Sequence, residues 1–479
     1  MTDKKSVFTN FIWRFMERCG AQGVSFIVSI ILARLLEPSI YGTIALVTVF
    51  TALLDVFIDS GFGSALIQKK DADDLDFSTV FYFNVVVCIV LYTLLFLAAP
   101  YIAAFYKDTS LTPIIRVLGL TLIISGVKNI QHAYVSRNMQ FKRFFFATLG
   151  GTIGAACIGI AMAYHGFGVW ALVAQHLFNT AMDTIILWIT VKWRPRKMFS
   201  LQRLKEMFSF GWKLLISHFL NKLYSNIRQL IIGKMYTTED LAFYNKGDKF
   251  PKLIVNNIEE SIRTILFPVM SKKQDEPAAI KNMTRRAMKV STYIMAPMMI
   301  GMSAVAEPLI RLMLTEKWMV SVPYMRIFCI TYIFYPLHNA NLSAIKAMGR
   351  SDLLLKLEVI KKTVGIFVLL LTMRHGVMVM AYSLLVTSVL SQIINSWPNK
   401  KLLNYSYPEQ LKDIMPGILM AVVMGACVYP VQWLGLSDML TLLIQVPLGA
   451  VIFVVGSILF KLDSFLYLWD IIKNIISKK

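Results

Sequence analysis

The sequence predicts an all-α polytopic membrane protein of about fourteen transmembrane helices, arranged as two parallel six-helix bundles followed by two C-terminal helices. Three observations lead there. Apolar runs of about 20 residues, enough to cross a bilayer, recur along all 479 residues, which are 56% hydrophobic and 16% charged with a mean hydropathy of +0.60. Lysine and arginine sort to alternate connections between those runs. Polar residues of one run also recur six runs later.

The runs cover 11–35, 40–67, 77–105, 112–134, 144–164, 168–191, 207–234, 241–268, 289–314, 321–345, 352–373, 376–397, 413–433 and 439–460. Several exceed the crossing length, so tilt or projecting ends are expected. Lys4 and Lys5 precede the first run, and Lys69 and Lys70 follow the second. Arg137, Lys142 and Arg143, the stretch Lys192–Lys205 and the stretch Lys272–Lys289 continue the series on that side. Lys346, Arg350, Lys356, Lys400, Lys401, Lys412, Lys461 and the tail lysines complete it. The opposite connections carry only Arg34, Lys107, Lys234, Lys317 and Arg374. This asymmetry places both termini in the cytoplasm and calls for an even number of spans. The start, "MTDKKSVFTNF", leads straight into a full-length run, so the first helix is expected to serve as its own insertion signal.

The formal net charge of +21 comes from short stretches between apolar runs rather than a soluble basic domain, which argues against a nucleic-acid partner. The outer connections are all short, none beyond about ten residues, and leave no room for the outer domain of a glycan polymerase or membrane glycosyltransferase. Cys19, Cys88, Cys157, Cys329 and Cys427 each fall in a different run and are expected as small buried apolar residues. The six histidines have no metal-ligand spacing, and no glycine-rich phosphate loop is present. No metal, no cofactor and no catalytic constellation are therefore expected.

The repeat is carried by "IRVLGLTLIISGVKNIQHAYVSRNM" from Ile115 and "MRIFCITYIFYPLHNANLSAIKAMG" from Met325. Arg116 meets Arg326, Thr121 meets Thr331, and Asn129 meets Asn339. Pro113 likewise meets Pro323 at the helix start. Six spans separate the two copies, so the halves are parallel, one of the recurring designs of transporters. The expected organisation is an N-terminal bundle over 1–200, a second bundle over 201–400, and the last two helices with the cytoplasmic tail over 401–479. "KWRPRKMFSLQRLK" is the linker. The last two spans, nearly free of charge, are expected to face lipid or form an accessory apolar surface.

Ionised residues within the spans mark an interior or a wet path, because hydrocarbon charges several kcal/mol for each of them. Basic ones predominate: Arg14, Arg18, Arg116, Lys128, Lys213, Lys222, Arg228, Lys246, Lys249, Lys252, Arg263, Arg311, Arg326, Lys361 and Lys362. A cavity they line attracts anions. Arg14 and Arg18 share a helix face, while Asp55 and Asp59 lie four apart on the next, antiparallel span. Arg18 and Asp59 fall at matching depth, and Glu17 sits beside them. Arg14 is equally placed to snorkel to the surface, and Arg18 with Glu17 and Asp59 to form a purely structural ion-pair network. In span 8, Asn256, Glu259 and Arg263 share one face, and Pro251 permits a break. Lys361 and Lys362 read as snorkelling cations.

The segments "ARLLEPSIYGTIALVTVFTALLDVFIDSGFGSALIQKKD", "IRTILFPVMS" and "NANLSAIKAMGR" resemble the polysaccharide flippases of the multidrug/oligosaccharidyl-lipid/polysaccharide exporter superfamily. The Wzx-type colanic-acid and teichuronic-acid exporters are the nearest in character. The resemblance implies two bundles that alternate between inward- and outward-open states. Their substrate would be an undecaprenyl-diphosphate-linked oligosaccharide, moved across the bacterial cytoplasmic (inner) membrane. It also implies diphosphate-binding arginines in spans 1 and 8, here Arg14 or Arg18, and Arg263. Where peptidoglycan-precursor flippases have a further basic residue in span 2, this chain has Asp55 and Asp59. Glu17, Asp55, Asp59 and Glu259 would hold the arginines or couple transport to an H⁺ or Na⁺ gradient, and glycan polymerase and glycosyltransferases would be neighbours in the pathway. A multidrug antiporter of the same superfamily, a membrane enzyme of glycan assembly and a non-transporting partner of such an assembly are the alternatives.

Overall fold

A computed structural model of the chain describes residues 4–476 apart from 60–62, 64, 65, 68 and 70. The described residues contain helices and no strand. In hydrocarbon each backbone N–H and C=O must be satisfied within its own segment, and only a helix does that in a single pass.

The first half of the chain forms α1 (Lys4–Leu35), α2 (Pro38–Asp59), α3 (Asp74–Tyr106), α4 (Leu111–Arg137), α5 (Phe141–Tyr164), α6 (Val169–Thr190) and α7 (Leu201–Met235). The second half begins with α8 (Thr238–Ser271), α9 (Pro277–Ala304), α10 (Ala306–Leu314), α11 (Ser321–Tyr332) and α12 (Tyr335–Ala347). It continues with α13 (Ser351–Thr372), α14 (Val377–Leu403), α15 (Tyr407–Val428), α16 (Asp438–Leu459) and α17 (Asp463–Ile476). Among the described residues seven of these helices are long and apolar enough to cross a membrane alone, and eight if the bent pair α9–α10 counts as one span. Charged and other polar residues lower the hydropathy of the remaining long helices, α7 and α8 among them. The chain is a multi-pass membrane protein.

The chain divides into two compact units, Met1–Ala242 and Phe243–Lys479. In the first, α5 packs between α1 and α6, α4 packs on α2, α3 and α6, and α7 lies against α2 and α3. Gly42 makes the approach of α2 to the start of α8 possible: a Cβ there would stand 1.7 Å from the Thr238 carbonyl oxygen. The basic linker is bound down along its length. Gln131 Nε2 donates to the Trp193 carbonyl at 3.1 Å, and Trp193 Nε1 donates to Asp74 at 3.2 Å. The Arg196 and Ser200 amides donate to the Ser78 and Thr79 hydroxyls. Trp193 itself is buried among Leu66, Phe77, Ile130 and Phe144. At the start of α3, Asp73 and Asp76 form a reciprocal capping box. Asp76, fully buried, also takes Lys69 at 2.7 Å and Arg203 at 3.3 Å.

In the second unit, α9 packs against α11, α12 and α15, α13 against α14, and α16 against α10 and α15. Two spans that are continuous in the first unit are broken here. The counterpart of α3 bends by 67° between α9 and α10. The counterpart of α4 is interrupted at Ile333 and Phe334, with Pro336 in the first turn of α12. A proline in the first turn costs no hydrogen bond but cannot extend a helix backwards. Asn341 accepts from Asn399 at 2.6 Å and exchanges hydrogen bonds with Gln410 at 2.9 and 3.2 Å where α12, α14 and α15 meet.

The cysteines divide. Cys88 and Cys329 are buried, whereas Cys19, Cys157 and Cys427 are exposed on helix surfaces. Lipid is as apolar as a protein core, so hydropathy alone does not tell the two faces apart.

Candidate functional site

The side chains of Arg14, Arg18, Asp59, Glu259 and Arg263 lie outside the described residues; the backbone places the first two on α1, Asp59 on α2 and the last two on α8. Glu17 is described and buried, and it accepts a hydrogen bond from Thr148 of α5 at 3.4 Å. Asp55 is half-buried on α2. One turn before Glu17, Trp13 packs on Phe145 and Phe146 and carries Lys142 over its ring at 5.3 Å.

The two repeat arginines make comparable contacts, each within its own unit. Arg116 Nε donates to the Phe96 carbonyl at 3.3 Å, with its guanidinium over the Phe96 ring. Arg326 Nε donates to the Ser303 carbonyl at 3.4 Å and Nη2 reaches Glu307 at 2.8 Å. Each arginine ties its helix to the preceding span. Thr121 and Thr331 both bond back into their own helix. Asn129 donates to the Ile58 carbonyl at 2.6 Å, and Asn339 lies on α12.

Other basic residues are neutralised locally. Lys128 pairs with Asp183 of α6 at 3.0 Å. Lys361, expected to snorkel, is instead buried and paired with Glu358 one turn earlier. Arg311 is held by Asp438 and Glu316 at 3.1 and 2.6 Å. The acidic partners Asp183, Glu307 and Asp438 were not legible from spacing, because each stands on a different helix from the cation it meets.

What is left is a polar character concentrated on α7 and α8. Along α7 the side chains of Lys213, Ser217, His218, Asn221, Lys222 and Ser225 are all exposed. On α8, Lys249, Lys252, Asn256 and Asn257 are exposed as well. So many polar groups on a membrane helix do not border acyl chains; they border water or a polar ligand. The α8 face is backed by an ordered shell. Lys246 is buried with its ammonium 5.0 Å from the centre of the Trp318 ring. Gly247 lets α8 lie directly on α11, since a Cβ there would come within 2.6 Å of Tyr324 Cβ. Asp248 accepts from the Tyr332 hydroxyl at 2.5 Å and from Lys252 at 3.2 Å. Tyr244 packs edge-on against Tyr324 and Phe328. The lysines were visible in sequence, but Trp318 and Tyr332, which fix them, were not. Among the described residues no three His, Cys, Asp or Glu side chains are placed to hold a metal.

Comparison with known proteins agrees with this architecture. The model of the family described as "Polysaccharide biosynthesis protein" matches residues 31–323. The teichuronic acid biosynthesis protein TuaB of Bacillus subtilis is 25% identical over 388 residues, covering 80% of each chain. The lipopolysaccharide biosynthesis protein WzxC of Escherichia coli is 23% identical over 377 residues, covering 78% of this chain and 76% of its own. Among solved structures, the lipid II flippase MurJ in an inward closed conformation superposes with a TM-score of 0.74 at 13% identity, covering 95% of this chain and 99% of its own. An inward-facing MATE-family multidrug transporter of the MOP superfamily superposes at 0.63 with 14% identity, covering 80% and 94%. The chain therefore shares the fold of these flippases and transporters, and it belongs to the polysaccharide biosynthesis protein family.

Proposed function

We propose that the protein is a flippase that carries an undecaprenyl-diphosphate-linked oligosaccharide from the cytoplasmic to the outer leaflet by alternating access. The observation that carries this reading is that α7 and α8, both of membrane length, each expose cations and other polar side chains. A diphosphate cannot cross hydrocarbon alone, and a path lined by fixed cations and amides replaces its hydration. Arginine suits the headgroup because it stays charged and offers paired donors to phosphate oxygens. Arg14 or Arg18, with Arg263, are the proposed diphosphate ligands, and Lys249 and Lys252 hold the same sign of potential along α8. Glu17, Asp55, Asp59 and Glu259 position these arginines or take up the H⁺ or Na⁺ that drives the cycle. The relatives' names support a role in glycan assembly, and the family's similarity to transporters rather than catalysts supports translocation without a chemical step.

The test is replacement of Arg18 and Arg263 by glutamine, singly and together, in a strain whose surface polysaccharide depends on this protein. Surface glycan should be lost while the lipid-linked precursor accumulates inside and membrane levels of the protein stay unchanged. Normal export by the double variant rejects the ligand assignment. Drug resistance conferred by the unmodified protein, without any effect on glycan, supports the antiporter reading instead.

A further inference from the structure

A second charged site lies within the second unit, at the corner where α16 turns into α17. A cavity of about 590 Å³ lies there between α9, the start of α15 and that corner. An adjoining one of about 350 Å³ shares Arg285, Lys289, Asp463 and Ser464 with it. The acidic groups of this corner are already engaged. Arg285 bridges Glu409 and Asp413, and Lys289 reaches Asp463 at 2.9 Å. Tyr405 lies under the Arg285 guanidinium and donates to Asp413 at 2.7 Å. Burial, with Asp413 alongside, holds its hydroxyl well above the ordinary phenol range.

Three cations then remain without an ion pair among the described residues: Lys412 and Lys461 in the larger cavity, and Arg286 in the smaller, lying over the Tyr467 ring at 4.6 Å. Lys461 is in the left-handed region, with φ 46°, at the C-terminal end of α16. That conformation favours glycine and costs a side-chain-bearing residue about 1 kcal/mol, yet the position presents a lysine to the cavity. The apolar surroundings are equally specific. Leu459, Phe460, Leu466 and Trp469 are exposed on either side of the corner, while α17 packs on α9. An amphipathic helix with an exposed tryptophan beside a basic pocket is the arrangement expected at the headgroup level of a bilayer.

We propose that this corner binds a phosphate ester of net negative charge, with Lys412, Lys461 and Arg286 as its ligands. The flanking apolar side chains favour a membrane lipid as its source, the acyl chains lying against Leu459 and Phe460. A soluble phosphate ester presents the same chemistry without the chains.

The full-length protein, purified in detergent, is titrated with phosphatidylglycerol, and retained molecules are counted by native mass spectrometry. Phosphatidylcholine of the same acyl chains is the neutral control, and glycerol 3-phosphate the soluble competitor. Phosphatidylglycerol should be retained in preference to phosphatidylcholine. A triple variant, R286Q/K412Q/K461G, should lose that preference several-fold while keeping its thermal transition, since glycine suits the backbone at position 461. If glycerol 3-phosphate fails to displace the lipid, the lipid is the source; if it binds in the lipid's place and the variant loses it too, the soluble ester is. Equal retention of the two lipids, or a preference unchanged in a folded variant, overturns the site in either form.

Discussion

Asp76 is the residue whose removal should tell most about how the first unit is held together. Its side chain is fully buried, yet it accepts from Lys69 at 2.7 Å, from Arg203 at 3.3 Å and from the Asp73 amide at 3.2 Å. Asp76→Ala removes the only buried member of this group. Breaking a buried ion pair by deleting one partner costs about 3–5 kcal/mol. Lys69 and Arg203 retain 28% and 34% exposure and can turn towards water, which moves the expectation to the low end, about 3 kcal/mol. The assay is thermal unfolding of the purified protein followed by size-exclusion chromatography, with a cycle pairing Asp76→Ala and Arg203→Gln. A coupling of about 1–2 kcal/mol is expected, within the range found for contacting residues. It should survive high salt, because a buried charge is screened far less than an exposed one. A cost below about 1 kcal/mol, the value of an exposed pair, would refute the view that Asp76 anchors the linker to α3.

Other outcomes follow from the same geometry. Gly247→Ala would push a Cβ into Tyr324 Cβ and the Met325 amide, at 2.6 and 2.9 Å, and backbone cannot yield as a side chain does. A loss of about 1–3 kcal/mol in thermal stability is expected. Arg326→Gln should destabilise more than Arg116→Gln, because Arg326 pairs with Glu307 whereas Arg116, among the described residues, meets a carbonyl and a ring; equal midpoint shifts would contradict this. Asp73 is held below the ordinary carboxylate range by the Asp76 amide, despite some desolvation, with Arg203 adding to the effect. Its folded pKa is thus lower than the unfolded value of about 3.9. The contribution is complete above that pH and fades as pH falls through the lower folded value. Asp73→Asn keeps the capping acceptor without the charge, so comparison of the two proteins' melting across acidic pH isolates this term.

Much of the fold was legible because hydropathy and helix extent coincide wherever a run is uniformly apolar. The run 168–191 became Val169–Thr190, and 112–134 became Leu111–Arg137. They part where a helix leaves the hydrocarbon. The run from 289 begins a dozen residues after its helix, which starts at Pro277 and carries Lys281, Arg285 and Lys289 on its projecting end. Hydropathy reports the solvent, whereas the backbone ladder continues as long as its own hydrogen bonds do. The breaks at Val305 and at Ile333 to Phe334 were equally hidden, since prolines at 297, 308 and 336 look alike in sequence and only the last two stand at a helix start.

The site was legible as a class of residue and not as a constellation. An intramembrane lysine is conspicuous because it is costly, but its cost is set by what it meets. Lys128 meets Asp183, Lys361 meets Glu358, and Lys246 meets the ring of Trp318. Two of these partners come from other helices.

From its sequence alone the chain was committed to a helical, many-pass membrane architecture with an excess of basic groups inside it, because a bilayer leaves a crossing backbone few ways to satisfy its hydrogen bonds. Which helix faces are covered, which cations are neutralised and which stand exposed on α7 and α8 was decided only by packing. The reason is that lipid and protein interior are nearly the same solvent for an apolar side chain, so the pattern that drives insertion carries little information about neighbours.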